Sequence, residues 1–216
     1  MASYTLRLLE DQFERGASAR AMAPGNRMTY CRTGGVSVDG DVLAPNQVSF
    51  SASPCDLAAT ADDTHLLRFE LVAEGGEDGL LRGDGVASTL KMAEEVELSG
   101  TDGYFMRCDR IDFPPGGIAW HHTHVGPGIR CLLKGELQVE TAGLTHELRP
   151  FDPWFEAGPD IVLATASKEI ESAFVRGMVL PRDILGQSSV RYRDPEQRDK
   201  PVPLGRTNFR DELIAI

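Results

Sequence analysis

This sequence has too little positive charge to balance its negative charge. Its 22 lysines and arginines stand against 33 aspartates and glutamates, for a formal net charge of −11 at pH 7. Such a chain has no broad basic surface that could neutralise the phosphates of nucleic acid or of an anionic membrane. We therefore expect no nucleic acid and no membrane as partners, and an anionic small molecule would need a local arginine.

Long apolar runs are also missing. No stretch approaches the roughly 20 apolar residues that span a bilayer. The N-terminal segment MASYTLRLLEDQFERG has acidic residues where a secretory signal needs an uninterrupted apolar run. These features predict a soluble, cytoplasmic protein, and 216 residues with 41% hydrophobic content are enough for one large domain or two small ones.

Cysteine is scarce and shows no pattern. The four cysteines form no C-x-x-C pair and fit no dense disulfide framework. Free cysteine usually behaves as a small buried hydrophobic residue. We expect all four to be reduced and buried: Cys31, Cys55, Cys108 and Cys131.

What the sequence does contain is an internal repeat. YTLR at 4–7 aligns with YFMR at 104–107, and the same shift places Gly35 on Gly135. After an insertion, LAPNQVSFSASPCDLAATA at 43–61 aligns with LRPFDPWFEAGPDIVLATA at 148–166. The order of the matches and the agreement of glycines and prolines predict a duplicated structural unit.

Each copy has the pattern of short β-strands. RCLLKGELQVE at 130–140 reads as an apolar run, a Lys-Gly turn and a second, alternating run. Helix signals are few, with STLKMAEEVEL at 88–98 as the candidate. Short runs separated by proline and glycine are typical of an antiparallel sandwich or barrel, here present twice.

The predicted domain division follows from the repeat. We expect a first barrel at 1–75, a linker at 76–103 that begins with glycine and aspartate, and a second barrel at 104–182. The segment 183–216 is polar and contains prolines, so it is too poor in apolar residues for a third core. It is predicted to be an extended C-terminal tail.

Three of the five histidines lie together in HHTH at 121–124. His122 and His124 share one face of a strand because side chains alternate with period two, and His121 points to the other face. Imidazole is the commonest protein ligand of transition metals. The pair therefore predicts a metal site whose remaining ligands come from elsewhere in the chain.

The stretch around these histidines resembles the first motif of the cupin superfamily. In that motif a glycine, an H-x-H pair, a glutamate and a turn glycine follow one another at fixed spacings. Gly116, His122, His124 and Gly135 match these positions. The glutamate position falls on Gly128, so this ligand is missing from its usual place.

The second cupin motif is matched less completely. HELRPFDPWFEAGPDI at 146–161 resembles it in Asp152 and Gly158, but the histidine position falls on Ile161. The resemblance implies an all-β protein, a double-stranded β-helix or cupin jelly roll in two tandem copies. Such a bicupin would here have one copy of the metal-binding type.

The first copy lacks the metal pair. Met22 and Pro24 stand where the second copy has His122 and His124. The first barrel is therefore expected to be degenerate and structural, and the chain is expected to bind no more than one metal.

A third ligand is predicted from the cupin arrangement. The strand with the glutamate position runs antiparallel to DPWFEAG, so Glu156 would lie across from Gly128 and could supply the missing carboxylate. Two imidazoles and one carboxylate form the facial triad of non-haem Fe(II) centres. We expect a divalent transition metal, with Fe first and Mn, Ni or Zn as alternatives; a solvent-facing Glu156 and an additional ligand from His146 remain open.

Three further side chains are predicted to line the substrate pocket. Arg130 shares the inward parity of Gly128, and its guanidinium would hold a substrate carboxylate or form an ion pair, for instance with Glu156. Trp120 lies on the face of the histidine pair and Trp154 on that of Glu156. Each tryptophan would wall the pocket or pack in the core.

These observations predict a metal-dependent cupin enzyme, first of all an Fe(II)-dependent dioxygenase, an oxidoreductase acting on a small anionic or enolisable molecule, for instance a carboxylate. Arg130 and Glu156 are its candidate catalytic residues. A metal-dependent isomerase or lyase is an alternative, and so is a non-catalytic bicupin that binds or senses a small ligand at a degenerate site. We expect a monomer or a homodimer.

Overall fold

The computed structural model describes residues 2–99, 103–198, 200 and 204–216, which fall into two compact units. Unit 1 is Met1–Thr101 with Ile214–Ile216, and unit 2 is Asp102–Leu213. Strands make up nearly all of the regular structure. No helix in the described ranges has both the length and the apolar character needed to cross a membrane.

Unit 1 is a sandwich of antiparallel sheets. Its described residues form nine strands: β1 (Ala2–Phe13), β2 (Ser18–Met22), β3 (Asn26–Thr33), β4 (Val36–Val38), β5 (Asp41–Leu43), β6 (Gln47–Ser51), β7 (Cys55–Ala59), β8 (Thr64–Ala73) and β9 (Val86–Leu98). The strand orders are β6-β3-β8-β1-β9 and β2-β7-β4-β5. Alternate side chains point inward and form the core, among them Phe13, Val36, Leu57 and Leu66.

Unit 2 repeats this plan with one additional strand at the edge of its second sheet. Its described residues form β10 (Tyr104–Phe113), β11 (Ile118–His124), β12 (Gly128–Lys134), β13 (Leu137–Thr141), β14 (Leu144–Leu148), β15 (Pro153–Glu156), β16 (Val162–Ala166), β17 (Ser172–Pro181), a 3-10 turn (Arg182–Ile184), β18 (Val190–Tyr192), α1 (Pro195–Arg198) and β19 (Gly205–Ile214). The sheet orders are β15-β12-β17-β10-β19 and β14-β13-β16-β11-β18. The predicted fold is confirmed: an all-β chain with two tandem antiparallel jelly rolls.

Strand pairing shows which positions of the two copies are equivalent. Tyr4 to Phe13 pair with β8 over the same length as Tyr104 to Phe113 pair with β17. Beyond this segment the sequence alignment is wrong by one residue. Thr33 of β3 and Lys134 of β12 occupy equivalent positions in the ladders that these strands form with β8 and β17. Gly135 is therefore the counterpart of Gly34 and not of the aligned Gly35.

The predicted linker and tail both contain strands. β9 pairs with β1 along its whole length and belongs to unit 1. In the predicted tail, β18 pairs with β11 and β19 lies beside β10. Both β9 and β19 are edge strands with many exposed polar residues, so their sequences lack the apolar alternation of a half-buried strand.

The cysteines are free and buried, as predicted. Burial raises the pKa of the Cys31 thiol to about 11 and the pKa of Cys108 well above its usual range. Neutral thiols are poor nucleophiles and poor metal ligands, so these two residues have packing roles.

Candidate functional site

A small cavity lies inside unit 2, between its two sheets. Its volume is about 100 Å³, and its wall is mostly apolar with a few polar groups. The polar and aromatic lining includes His122, His124, Trp154, Glu156, Arg176 and Tyr192. Two histidines and the carboxylate predicted as metal ligands are thus brought to one cavity.

An irregularity in β11 directs the histidines into this cavity. The register with β16 shifts between Ala119 and His122, and His122 then pairs with Val162. The backbone N–H of His124 donates to the carbonyl of Gly158 at 2.8 Å, which fixes the end of the strand. His122 and His124 are buried whereas His121 is exposed, as the alternation predicted.

Hydrogen bonds fix the tautomer of His122. Its Nδ1 lies 2.6 Å from the carbonyl oxygen of Trp120, which can only accept, so Nδ1 carries the proton and Nε2 has a free lone pair. His124 Nδ1 lies 3.2 Å from Ser189 Oγ. The two rings meet edge to face with centroids 4.9 Å apart.

Burial keeps both imidazoles neutral. It lowers the pKa of His122, against the opposing effect of the hydrogen bond to Trp120, and it lowers the pKa of His124 to about 3. At pH 7 neither ring is charged. Neutral imidazole is the form that coordinates a metal.

Glu156 lies directly opposite Gly128 in the β12–β15 ladder, as predicted. Its Oε1 accepts a hydrogen bond from Trp154 Nε1 at 2.9 Å, and its Oε2 lies 3.3 Å from His124 Nε2. Burial would raise the pKa of Glu156, but Arg130 and His124 outweigh it and hold this pKa well below its usual range. The carboxylate is therefore ionised inside the protein.

Arg130 is the direct ion-pair partner of this carboxylate. Its Nη2 lies 2.6 Å from Glu156 Oε2, and its Nη1 donates to the carbonyl of Gly128. Burial lowers the pKa of Arg130 to about 10, which still leaves the guanidinium charged at pH 7. Of the two predicted roles the structure favours the ion pair, because Arg130 is fully buried beside Glu156 and does not line the cavity.

Other predicted residues lie outside the cavity. Trp120 is half-buried away from it, with Lys200 Nζ 4.3 Å from its ring centre, because the irregularity in β11 breaks the alternation that placed Trp120 beside the histidines. His146 is on β14, separated from β11 by two strands. Ile161 borders a surface depression beside His121, and the neighbouring Val162 takes the inward position.

Two arginines of the cavity wall were not predicted from the sequence. Arg176 Nε lies 2.5 Å from Asp109 Oδ1, and Arg206 Nε lies 2.8 Å from Asp109 Oδ2. Arg176 had a recognisable signal, an arginine inside the apolar strand SAFVRGMVLP. Arg206 had none, since it belongs to the polar segment that was predicted to be a tail.

The donor set has the chemistry of a divalent metal site without a closed coordination shell. His122 Nε2 is unprotonated, and in the described ranges Glu156 Oε2 is a buried oxygen without a hydrogen bond of normal geometry. Across the same ranges, however, no three His, Cys, Asp or Glu side chains surround a common metal position. The residues fit a metal by type and proximity, and Arg130 competes with it for the carboxylate.

Comparison by sequence finds no relative: no family model and no curated protein matches this chain. Solved structures do match its fold. Salicylate 1,2-dioxygenase from Pseudaminobacter salicylatoxidans is 9% identical with a TM-score of 0.52, over 82% of this chain and 71% of that one. The 11S allergen from Cocos nucifera is 10% identical with a TM-score of 0.57, over 84% and 83%.

A third solved structure matches to a similar degree. The putative glyoxylate induced protein from Pseudomonas aeruginosa is 12% identical with a TM-score of 0.57, over 83% of this chain and 76% of that one. At such identities the likeness shows the fold alone. Because an enzyme and an allergen share this fold, function has to be argued from the residues of the site.

Proposed function

We propose that unit 2 binds one divalent transition metal through His122, His124 and Glu156, and that the protein is a metal-dependent enzyme of the oxygenase type acting on a small molecule. The observation that carries the proposal is the pair of buried, neutral imidazoles beside an ionised carboxylate at a cavity. Three such ligands leave coordination positions open for substrate.

The hydrogen bonds around the histidines support this proposal. Metal-binding histidines usually donate their second ring N–H to a carbonyl, a carboxylate or water, which orients the ring. His122 does this toward the carbonyl of Trp120, and Ser189 stands at the equivalent nitrogen of His124. A bound Fe(II), or Mn, Ni or Zn in its place, would supply Lewis acidity and, if redox-active, electron transfer.

The cavity limits the substrate. A volume of about 100 Å³ has room for only a few non-hydrogen atoms, against the roughly 300–1,000 Å³ of drug-sized ligand sites. Trp154, Val162 and Phe174 exclude water from the apolar wall. Arg206, whose side chain is 37% exposed, is the accessible cation for a substrate carboxylate, a role that the sequence assigned to Arg130.

The experiment is elemental analysis of protein purified without chelator or histidine tag, followed by measurement of oxygen uptake with small carboxylic acids. The proposal predicts up to one transition metal per chain and substrate-dependent oxygen consumption by the loaded protein. A loaded protein that consumes no oxygen but interconverts or cleaves a substrate would replace the oxygenase by the isomerase or lyase.

A second candidate is a non-catalytic protein that binds a small ligand at the same cavity. It is favoured by the 2.6 Å contact of Arg130 with Glu156, because an internal cation already neutralises the carboxylate that a metal would use. This candidate predicts protein that is isolated without metal and takes up none on titration.

A further inference from the structure

Unit 1 contains a cavity much larger than that of unit 2. Its volume is about 660 Å³, within the range typical of small-molecule sites. Strand pairing shows that it occupies the corresponding part of the barrel: Met22, opposite Cys55, is the counterpart of His122, opposite Val162. The barrel expected to be only structural therefore has a pocket of its own.

Three buried arginines converge on one glutamate at this cavity. Arg7 Nη2 lies 2.7 Å from Glu70 Oε2, and Arg27 Nε and Arg68 Nη1 each lie 2.5 Å from Glu70 Oε1. Arg68 also pairs with Asp11. The cluster thus has three guanidiniums and two carboxylates, one positive charge in excess.

An unbalanced buried charge is unusual in a protein. Desolvating a guanidinium is expensive unless an anion compensates it, and Glu70 already accepts from all three arginines. Glu77 and Asp78 also line the cavity, but both are exposed to solvent, and Asp78 is paired with Arg82. A small anion in the cavity would supply the missing negative charge.

Arg27 has a donor in place for such an anion. Its Nη2 donates to the carbonyl of Ala23 at 3.0 Å, whereas among the described residues its Nη1 has no stronger acceptor than the sulfur of Cys55 at 3.4 Å. A thiol is a weak acceptor compared with a carboxylate. A ligand oxygen beside Nη1 would replace a weak hydrogen bond by a strong, charge-assisted one.

The rest of the wall determines what kind of anion fits. Met22, Leu71 and Leu81 line the cavity beside the arginines, and the exposed Arg20 stands at its rim. We propose that unit 1 binds a small organic carboxylate with an apolar body, whose carboxylate contacts Arg27 while the apolar part packs against Met22 and Leu81. This site is independent of the metal site proposed in unit 2.

The first test uses the wild-type protein and the methyl signal of Met22. Protein labelled with ¹³C at the methionine methyls is titrated with benzoate, with the neutral isostere benzamide and with inorganic phosphate; Met22→Leu assigns the signal. Benzoate is expected to shift Met22 saturably without moving the buried Met106 and Met178 of unit 2, and benzamide to bind at least tenfold more weakly.

Two results would overturn the proposal. One is the absence of a Met22 shift with acetate, butyrate or benzoate up to about 10 mM, beyond the range of even a weak site. The other is equal binding of benzoate and phosphate, which would show an anion site with no use for the apolar wall.

The second test uses matched substitutions and calorimetry. Arg27→Gln should raise the Kd for benzoate at least tenfold, because it removes the fork of donors. Arg15→Gln makes the same change at an arginine whose side chain is 72% exposed and outside the cavity, and it should leave the Kd unchanged. If Arg27→Gln does not fold, the affinities of wild type for benzoate and benzamide, measured at the Met22 methyl signal, test the proposal instead. Benzoate binding that survives His122→Ala separates this site from that of unit 2.

Discussion

At the scale of single residues, the chemistry of unit 2 depends on what Glu156 is paired with. Its Oε2 stands between the guanidinium of Arg130, 2.6 Å away, and the imidazole of His124, 3.3 Å away. A metal at the histidines would approach the same oxygen. Arg130 and a bound metal would therefore compete for one buried carboxylate, and substitutions of Glu156 and of Arg130 should have opposite effects on metal affinity.

Glu156→Gln tests the carboxylate ligand. The amide is nearly the same size but has no charge, so metal affinity should fall at least tenfold. Even removing a hydrogen-bond partner of a metal ligand commonly lowers metal affinity by that much. A competition titration against a fluorescent chelator measures it. Glu140→Gln, at an exposed position of β13, is the matched control. Unchanged affinity in Glu156→Gln would mean that the third ligand lies elsewhere, with His146 next to be examined.

Arg130→Met should have the reverse effect on the metal. Without the guanidinium, Glu156 becomes an unpaired buried charge, and breaking such a pair destabilises a protein by about 3–5 kcal/mol. A metal could then take over as counter-ion. Urea unfolding should show that the metal-free variant is less stable than metal-free wild type, and that added metal stabilises the variant more than it stabilises wild type. The variant should also bind the metal more tightly. Weaker metal binding would argue against competition between Arg130 and the metal.

At the scale of secondary-structure elements, alternation in β-strands explains what the sequence could predict. It correctly predicted that His122 and His124 point inward and His121 outward. The expected antiparallel pairing correctly predicted that Glu156 lies opposite Gly128. It failed for Trp120, because the register shift in β11 depends on pairing with β16, which no local pattern reveals. The two jelly-roll barrels followed from the repeat and from the resemblance of the histidine motif, not from local pattern alone.

Close packing at the vacant ligand position and the two edge strands could not be predicted from the sequence. A Cβ on Gly128 would lie 2.8 Å from Met178 Cγ. The strands β9 and β19 were missed because exposed edge strands have few apolar residues. Such features depend on neighbours distant in sequence.

The hairpin glycines that follow β3 and β12 allow a test of the duplication. Gly34 and Gly135 both have positive φ, and in each an added Cβ would lie 2.7 Å from a backbone Cα atom, of Thr64 and Ser172 respectively. Gly143 also has positive φ but nothing within 4 Å. Substitution by Ala should cost about 1–2 kcal/mol at Gly143 from backbone strain and about 1–3 kcal/mol more at the other two from overpacking.

Denaturant unfolding measures these three substitutions. The equivalence of Gly34 and Gly135 predicts losses of similar size in both, each larger than that of Gly143→Ala. A loss at only one of the two would contradict the equivalence drawn from strand pairing.

At the scale of the whole molecule, the two copies keep one fold but fill corresponding cavities differently. Unit 2 has two neutral imidazoles beside the Arg130–Glu156 ion pair, whereas unit 1 has three arginines around Glu70 and no histidine among the described residues that line its cavity. Each unit also has a buried carboxylate paired with arginines: Glu70 in unit 1 and Asp109 in unit 2. Stability of the whole chain should therefore depend on pH through both units.

Acid should destabilise the protein for a defined reason. Burial would raise the pKa of Glu70 and of Asp109, but Arg68 and Arg27 in the first case and Arg176 and Arg206 in the second lower both. These pKa values are lower in the folded than in the unfolded chain. The stabilisation by the two ionised carboxylates is therefore complete above the unfolded pKa values near 4. It is lost as the pH falls below them, by up to about 1.4 kcal/mol per pH unit for each carboxylate. Urea unfolding from pH 7 to pH 3 measures the effect, and stability that stays level below pH 4 would contradict it.

The metal content of four proteins tests whether unit 2 holds one metal on the inward pair of histidines. Untagged wild type and the variants His121→Ala, His122→Ala and His124→Ala are loaded with the same metal, desalted and analysed for metal per chain. One metal in wild type and in His121→Ala, with almost none in the other two, is the predicted result. Metal retained by His122→Ala, two metals per wild-type chain, or none at all in wild type would contradict it.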